Sequence, residues 1–263
     1  MSVKLTLGVS LKTYFGYQQT QAWSREVAEI VRQHPLLKQH PEITLFTFPS
    51  APAIETTLRA FTGTAMQVGA QNIAPAPAGA WTGENSAELV SEMGCKFAEI
   101  GHAERRRYFH EDHAMICRKV QMALENGLTP VICIGEPEKM SVEDATAFAI
   151  EEANVILHYM QQQARGGDLI FAWEPQWAIG AAQPASGEYI QAVCSGLRAH
   201  LSSVPGDHRV IYGGSAGPGL LSQLWPHVDG IFLGRFAHQP AAITAILDEA
   251  CVLLAAELQK EHV

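Results

Sequence analysis

The feature that most constrains this chain is an alternation that runs its whole length: short β-rich runs, each followed by a longer stretch of helical periodicity. The β-rich runs are Lys4–Val9, Ile43–Phe48, Ala65–Gly69, Phe97–Ile100, Thr129–Ile134, Asp168–Trp173, Arg209–Tyr212 and Gly230–Leu233. The clearest helical patterns are Glu111–Asn126, Ser141–Gln163, Glu188–Leu201 and Ala241–Leu258. Strands that alternate with helices form parallel sheets, because each crossover must carry the chain back to the same end. Eight such units without a linker or a break in composition predict a (β/α)8 barrel, a single domain over residues 1–263. A doubly wound open sheet is the structural alternative. It usually brings a Gly-rich fingerprint after the first strand, and the stretch Gly8–Tyr14, GVSLKTY, carries none.

Composition narrows the partners. With 18 Lys plus Arg against 27 Asp plus Glu, the net charge of −9 disfavours nucleic acid and anionic membranes. An anionic ligand must then be held by a local site. No run of 18 apolar residues is present, and the apolar stretch between Lys4 and Lys12 is too short for a secretory leader, so the expected location is the cytoplasm. Five cysteines without a C-x-x-C pair fit reduced thiols and give no metal signature. Neither a cofactor nor a metal is expected.

In a barrel of this kind, chemistry collects where the strands end. Lys12 stands just past the first strand, where an ammonium group must meet water or an anion. His102 follows the fourth strand in EIGHAERRRYF, with Glu104 two residues on. A lone His is more often a satisfied structural residue, but at a strand end beside a carboxylate it becomes a candidate acid, base or electrophile. Glu174 ends the apolar run of the sixth strand. Placed between Trp173 and Trp177 it would lose hydration and hold protons more tightly, as a general base requires. Its ordinary alternative is a helix cap. The loop Pro175–Pro184 has an apolar tip with proline at both margins and reads as a closing lid. Glycines follow the seventh strand in YGGSAGPG and the eighth in FLGRFAH, where backbone N–H groups can approach a phosphate.

These strand-end segments together resemble the triosephosphate isomerase family. The likeness runs through VGAQN (Val68–Asn72), GAWTGE (Gly79–Glu84), GHAERR, VICIGE (Val131–Glu136), EPQWAIG and YGGS, in order, over essentially the whole chain. It implies a dimeric barrel that moves a carbonyl along a short sugar phosphate through an ene-diolate. On that resemblance Glu174 is the base, His102 the neutral electrophile, Lys12 the electrostatic stabiliser and Glu104 a supporting carboxylate. Gly180, Ser215, Gly234 and Arg235 hold phosphate through their backbone N–H groups. The loop around Trp81 and Thr82 is the expected dimer contact.

The chain also departs from the family pattern. Ser10-Leu11-Lys12 stands where Asn-x-Lys is usual, Ala103 replaces a serine, and Arg235 replaces a glycine. Ala181, Ala182, Gln183 and Pro184 alter the lid tip, and Glu99 stands inside the fourth strand in place of an aliphatic residue. A carboxylate there needs a donating partner unless it faces solvent. Ser10-x-Lys12, Glu99 before Gly-His, Trp81 in GAWTGE and Gly234-Arg235 together resemble the branch that isomerises erythrulose (tetrulose) phosphates: the shorter Ser10 opens space for an extra hydroxymethyl group and offers it a hydroxyl. Drift within an ordinary triosephosphate isomerase is the competing expectation, and a barrel kept for binding alone is another.

Two further motifs compete. Gly213-Gly214-Ser215-Ala216-Gly217 satisfies the G-x-S-x-G pattern of serine hydrolases, with Asp229 and His238 downstream, although little chain remains for the usual further units. His110–His113, HEDH, has the wrong spacing for a zinc-protease helix, and acidic residues at a helix start are commonly caps.

Overall fold

The computed structural model describes residues 4–179 and 185–261. Eight strands, β1 (Thr6–Ser10), β2 (Thr44–Phe48), β3 (Met66–Ala70), β4 (Phe97–Ile100), β5 (Thr129–Ile134), β6 (Ile170–Trp173), β7 (Arg209–Tyr212) and β8 (Gly230–Leu233), pair in parallel in chain order. Pairing of β1 with β8 closes the sheet, so the open doubly wound alternative is excluded. The expected strands are present with small shifts. β6 begins at Ile170 rather than Asp168, whose carboxylate instead accepts the backbone N–H of Asp207 at 2.8 Å.

The connecting helices are α1 (Tyr17–Gln33), α2 (Pro35–Gln39), α3 (Ile54–Ala60), α4 (Ala87–Glu92), α5 (Ala103–Phe109), α6 (His113–Glu125), α7 (Val142–Gln162), α8 (Gly187–Leu201), α9 (Leu220–Leu224) and α10 (Pro240–Glu261). Several start on a side-chain cap: Ser86, Asp112, Ser141 and Ser186 each accept a backbone N–H of the first turn that would otherwise lack a partner. None of the described helices is long and apolar enough to cross a membrane.

Strand residues alternate between two cores, as a sheet buried on both faces requires. Leu5, Leu7 and Val9 face outward into the layer shared with Trp23 and Val27 of α1. Phe46, Phe48, Phe97, Val131, Cys133, Ile170, Ala172, Ile211 and Phe232 fill the interior. The end where strands begin is closed by Arg209, whose guanidinium donates to the hydroxyls of Thr6 at 2.9 Å and Thr44 at 2.8 Å and to Asp207 at 3.3 Å. The other end is left for side chains that follow the strands.

Gly8 shows how full the interior is. A Cβ at this position would lie 2.4 Å from the Phe46 ring and 2.9 Å from that of Phe232. Gly8→Ala is expected to destabilise the fold by about 1–3 kcal/mol through overpacking. Urea unfolding should show a lower midpoint at unchanged slope; an unchanged midpoint would mean that the interior has room to spare.

Candidate active site

At the strand-exit rim, Lys12 follows β1 with a backbone φ of 47°, a left-handed conformation uncommon for a residue with a side chain. Two side chains hold it there: Ser50 Oγ donates to the Lys12 carbonyl at 2.9 Å and Gln71 Nε2 at 2.7 Å. The turn directs the ammonium group across the barrel to Glu104 Oε1, 2.7 Å away. Burial by itself would lower the Lys12 pKa, but the hydrogen bond and charge of Glu104, with Glu174 and Glu99 nearby, outweigh it and raise it. The group therefore stays cationic throughout the neutral range.

His102 is the N-cap of α5. Its Nδ1 accepts the backbone N–H of Glu104 at 3.1 Å, which requires a lone pair on that nitrogen. In this geometry the proton sits on Nε2, which faces Glu174 Oε2 at 3.4 Å. Burial favours the neutral ring, whereas the Glu174 hydrogen bond and the charges of Glu99 and Glu174 favour the imidazolium and raise the His102 pKa. A ligand oxygen that took the Nε2 proton for its own hydrogen bond would separate the pair. Burial and the positive end of the α5 dipole would then favour the neutral form.

Glu174 follows β6, anchored by its backbone N–H to the Ile134 carbonyl at 2.8 Å, and its side chain is largely buried. With Lys12 and His102 it lines a cavity of about 430 Å³. The opposite wall is Gly213–Ser215 after β7 and Gly234–Phe236 after β8. Here the backbone N–H groups of Ser215 and Arg235 donate to no group among the described residues. Gly214 has no room for a side chain, since its Cβ would lie 2.1 Å from the Tyr212 hydroxyl. One wall of the cavity thus offers a carboxylate, an imidazole and an ammonium group, and the other offers free amides. Gly180 and the lid tip Ala181–Pro184 lie outside the described residues.

The expected environment of Glu174 needs correction. Trp173 and Trp177 do not enclose it: their indole N–H groups donate to Glu136, at 3.1 and 2.9 Å, because both rings face away from the cavity. The Tyr189 hydroxyl donates to the same carboxyl group at 2.9 Å, and the Glu136 carbonyl accepts the Gln176 N–H at 3.0 Å. Glu136, fully buried beyond β5, thereby ties the chain on either side of residues 180–184 to one acceptor. The signal was present in VICIGE, where a carboxylate closes an apolar strand just as Glu174 does.

The competing motifs are resolved by position. Ser215 lies beyond the exit of β7, whereas Asp229 sits at the entry of β8 and is engaged by Arg198 at 3.0 Å and the Val210 N–H at 2.8 Å. The two stand at opposite ends of the barrel and cannot share a histidine. In HEDH, Asp112 caps α6, and Glu111 is buried against Lys119 and Arg105. Glu99 is buried, with Ser10 Oγ donating to its Oε2 at 2.9 Å, so the solvent-facing alternative is excluded.

The triosephosphate isomerase family profile matches residues 5–250. The chain belongs to the triosephosphate isomerase family. It is 50% identical over 254 residues to an L-erythrulose-1-phosphate isomerase of Pectobacterium atrosepticum, covering 96% of this chain and 98% of that protein. It is 38% identical over 203 residues to an L-erythrulose-1-phosphate isomerase of Brucella abortus, covering 75% and 79%. A probable triosephosphate isomerase 2 of Listeria monocytogenes is 35% identical over 243 residues, covering 90% and 93%. This is a sugar-phosphate isomerase of the family, and the cavity at the barrel exit is its candidate active site.

In this isomerase three side-chain donors converge on the Glu136 carboxyl group. Replacing Glu136 by Leu leaves the buried Trp173 indole N–H and the half-buried Trp177 N–H and Tyr189 hydroxyl without their acceptor, a fully buried unpaired donor costing about 1–3 kcal/mol. Glu136→Leu is expected to lose several-fold more stability in urea than Tyr189→Phe, which removes one hydroxyl. Equal losses would show that the three bonds do not converge energetically.

Proposed function

We propose that the enzyme isomerises erythrulose 1-phosphate. Glu174 takes the proton from C3, the carbon beside the carbonyl. The developing charge on the C2 oxygen is met by the Lys12 ammonium and the His102 Nε2–H, and Glu104 holds Lys12 in place. The ene-diolate then receives a proton at C2, leaving the carbonyl on C3 with no net change in atoms or electrons. Phosphate is held by the amides of Gly180, Ser215, Gly234 and Arg235. One preorganised donor of this kind is worth roughly 3–4 kcal/mol at the transition state. The convergence of Lys12, His102 and Glu174 on one cavity carries the reaction class. Ser10, a short side chain beside Lys12, supports the four-carbon substrate, as does the likeness to the two named erythrulose-phosphate isomerases. Dihydroxyacetone phosphate is the second reading, supported by the likeness to the Listeria protein.

We also propose a cytoplasmic homodimer acting in carbohydrate metabolism, in erythritol breakdown or, on the second reading, glycolysis. Trp81 is 47% exposed, and Thr82 is exposed beside it. A cavity of about 610 Å³ beside Lys12, flanked by exposed Tyr108 and Phe109, is suited to receive that loop from a second copy. The five unpaired cysteines, four of them buried, suit a reducing compartment.

On a panel of three- and four-carbon ketose phosphates, kcat/KM should be highest for erythrulose 1-phosphate; efficient triose turnover with none of the tetrulose would establish the second reading. Glu174→Gln should lower kcat roughly 10²–10⁴-fold with an unchanged fold, and turnover in deuterated water should label the carbon beside the carbonyl. Sedimentation should show a dimer, weakened by Trp81→Glu. An active monomer at assay concentration would remove that part of the proposal.

A further inference from the structure

The placement of Glu99 goes beyond these roles. Its β4 neighbours sort cleanly: Phe97 belongs to the interior core, and Ala98 and Ile100 to the outer one. The two-residue period therefore aims Glu99 inward, one level above Phe97, at the floor of the cavity. It is 3% exposed, and no Lys, Arg or His among the described residues comes within 4 Å of its carboxyl group. Ser10 donates to Oε2, and Oε1 has no hydrogen-bond partner among the described residues. Glu99 and Ser10 also line both the 430 Å³ cavity and the 610 Å³ cavity beside it, so they stand where the two meet.

Position on the ring explains what such a pair can meet. In a closed ring of eight strands, β4 lies diametrically across from β8. A ligand whose phosphate rests on the loops after β7 and β8, with its carbonyl toward His102 and Lys12, has its far carbon directed toward β4. We propose that Glu99, oriented by Ser10, is the specificity-determining residue that receives the terminal C4 hydroxyl of the four-carbon substrate. Oε1 accepts that hydroxyl, and holding C4 on the β4 side turns the C3 hydrogen toward Glu174. A three-carbon ketose phosphate has no such hydroxyl and leaves a buried carboxyl oxygen unpaired. A site built to bind a hydroxyl discriminates strongly against a ligand that lacks it. Burial raises the Glu99 pKa, and a carboxyl oxygen can accept a neutral hydroxyl in either protonation state.

This inference rests on the tetrulose reading, and the test separates the two. The intact enzyme and its Glu99→Gln and Glu99→Leu variants are assayed with erythrulose 1-phosphate, its 4-deoxy analogue, which ends in methyl but keeps the reacting C3 hydroxyl and hydrogen, and dihydroxyacetone phosphate. Wild type should prefer erythrulose 1-phosphate to the 4-deoxy analogue by ~100-fold in kcat/KM. Glu99→Leu should erase that preference, losing far more kcat/KM on erythrulose 1-phosphate than on the 4-deoxy analogue or the triose, and Glu99→Gln, which keeps volume and one acceptor, should retain part of it. The wild-type comparison stands even if Glu99→Leu does not fold. Equal use of the two tetruloses by wild type, or parallel loss on all three ligands in a folded Glu99 variant, would overturn the role of Glu99 alone. Wild type that turns over the triose and neither tetrulose would overturn the substrate reading and this inference with it.

Discussion

Pairing of β1 with β8 is the constraint on which the rest depends. A parallel ring sends every strand in the same direction, so all eight exits share one rim and the residues that follow them share one space. Lys12, His102 and Glu174 are far apart in sequence and come together for that reason alone. Closure also demands that the interior be filled from within, which the phenylalanines of β2, β4 and β8 accomplish at the cost of leaving β1 only a glycine at Gly8. Beneath them, Arg209 reaches back to the first residues of β1 and β2 and pins the entry end. The floor of the cavity is consequently the roof of a packed core, and a side chain resting on it has little freedom to shift.

Charge at the rim is fixed by partners before any ligand arrives. The left-handed turn at Lys12 would relax if its carbonyl were free, but Ser50 and Gln71 both donate to it, and Glu104 takes the ammonium group at the far end. His102 is held in one tautomer by the helix it caps. Such groups need no reorganisation when charge develops on a ligand oxygen, which is the physical basis of preorganised electrostatic stabilisation. The margins of residues 180–184 are fixed in the same manner. Glu136 collects donors from Trp173 and Trp177 on one side of residues 180–184 and from Tyr189 on the other, so both margins refer to one buried carboxyl group.

Much of this was legible in the sequence, and the parts that were not share a cause. Strand periodicity located all eight strands, because burial on both faces leaves long apolar runs, and glycine, lysine, histidine and glutamate stood out where those runs stopped. Trp173 and Trp177 flank Glu174 in sequence, which by itself suggests that they enclose it. Successive residues along a strand point to opposite faces, however, and the indoles found Glu136, just beyond the neighbouring strand β5, instead. Arg209 was equally opaque: a cation at a strand start usually meets solvent, and only closure brings two threonine hydroxyls within its reach. Pairings of this kind depend on which strand exits lie side by side, and local pattern carries no register.

The cavity is chemically asymmetric, and this bears on how such an enzyme comes to differ from its relatives. One end is built from backbone amides in glycine-rich turns, which no side-chain substitution alters directly and which suit any phosphorylated ligand. The other end is built from the side chains of Ser10 and Glu99, which hydrogen-bond to each other. At the amide end a side chain at Gly214 would meet the Tyr212 hydroxyl 2.1 Å from its Cβ, whereas one at Gly234 would enter open space. A change at the side-chain end is limited only by volume and by the need to leave no buried polar atom alone. Serine and glutamate meet that need as a pair, one supplying the donor that the other lacks. The two positions are therefore expected to change together, and Lys12, His102 and Glu174 between them to stay as they are.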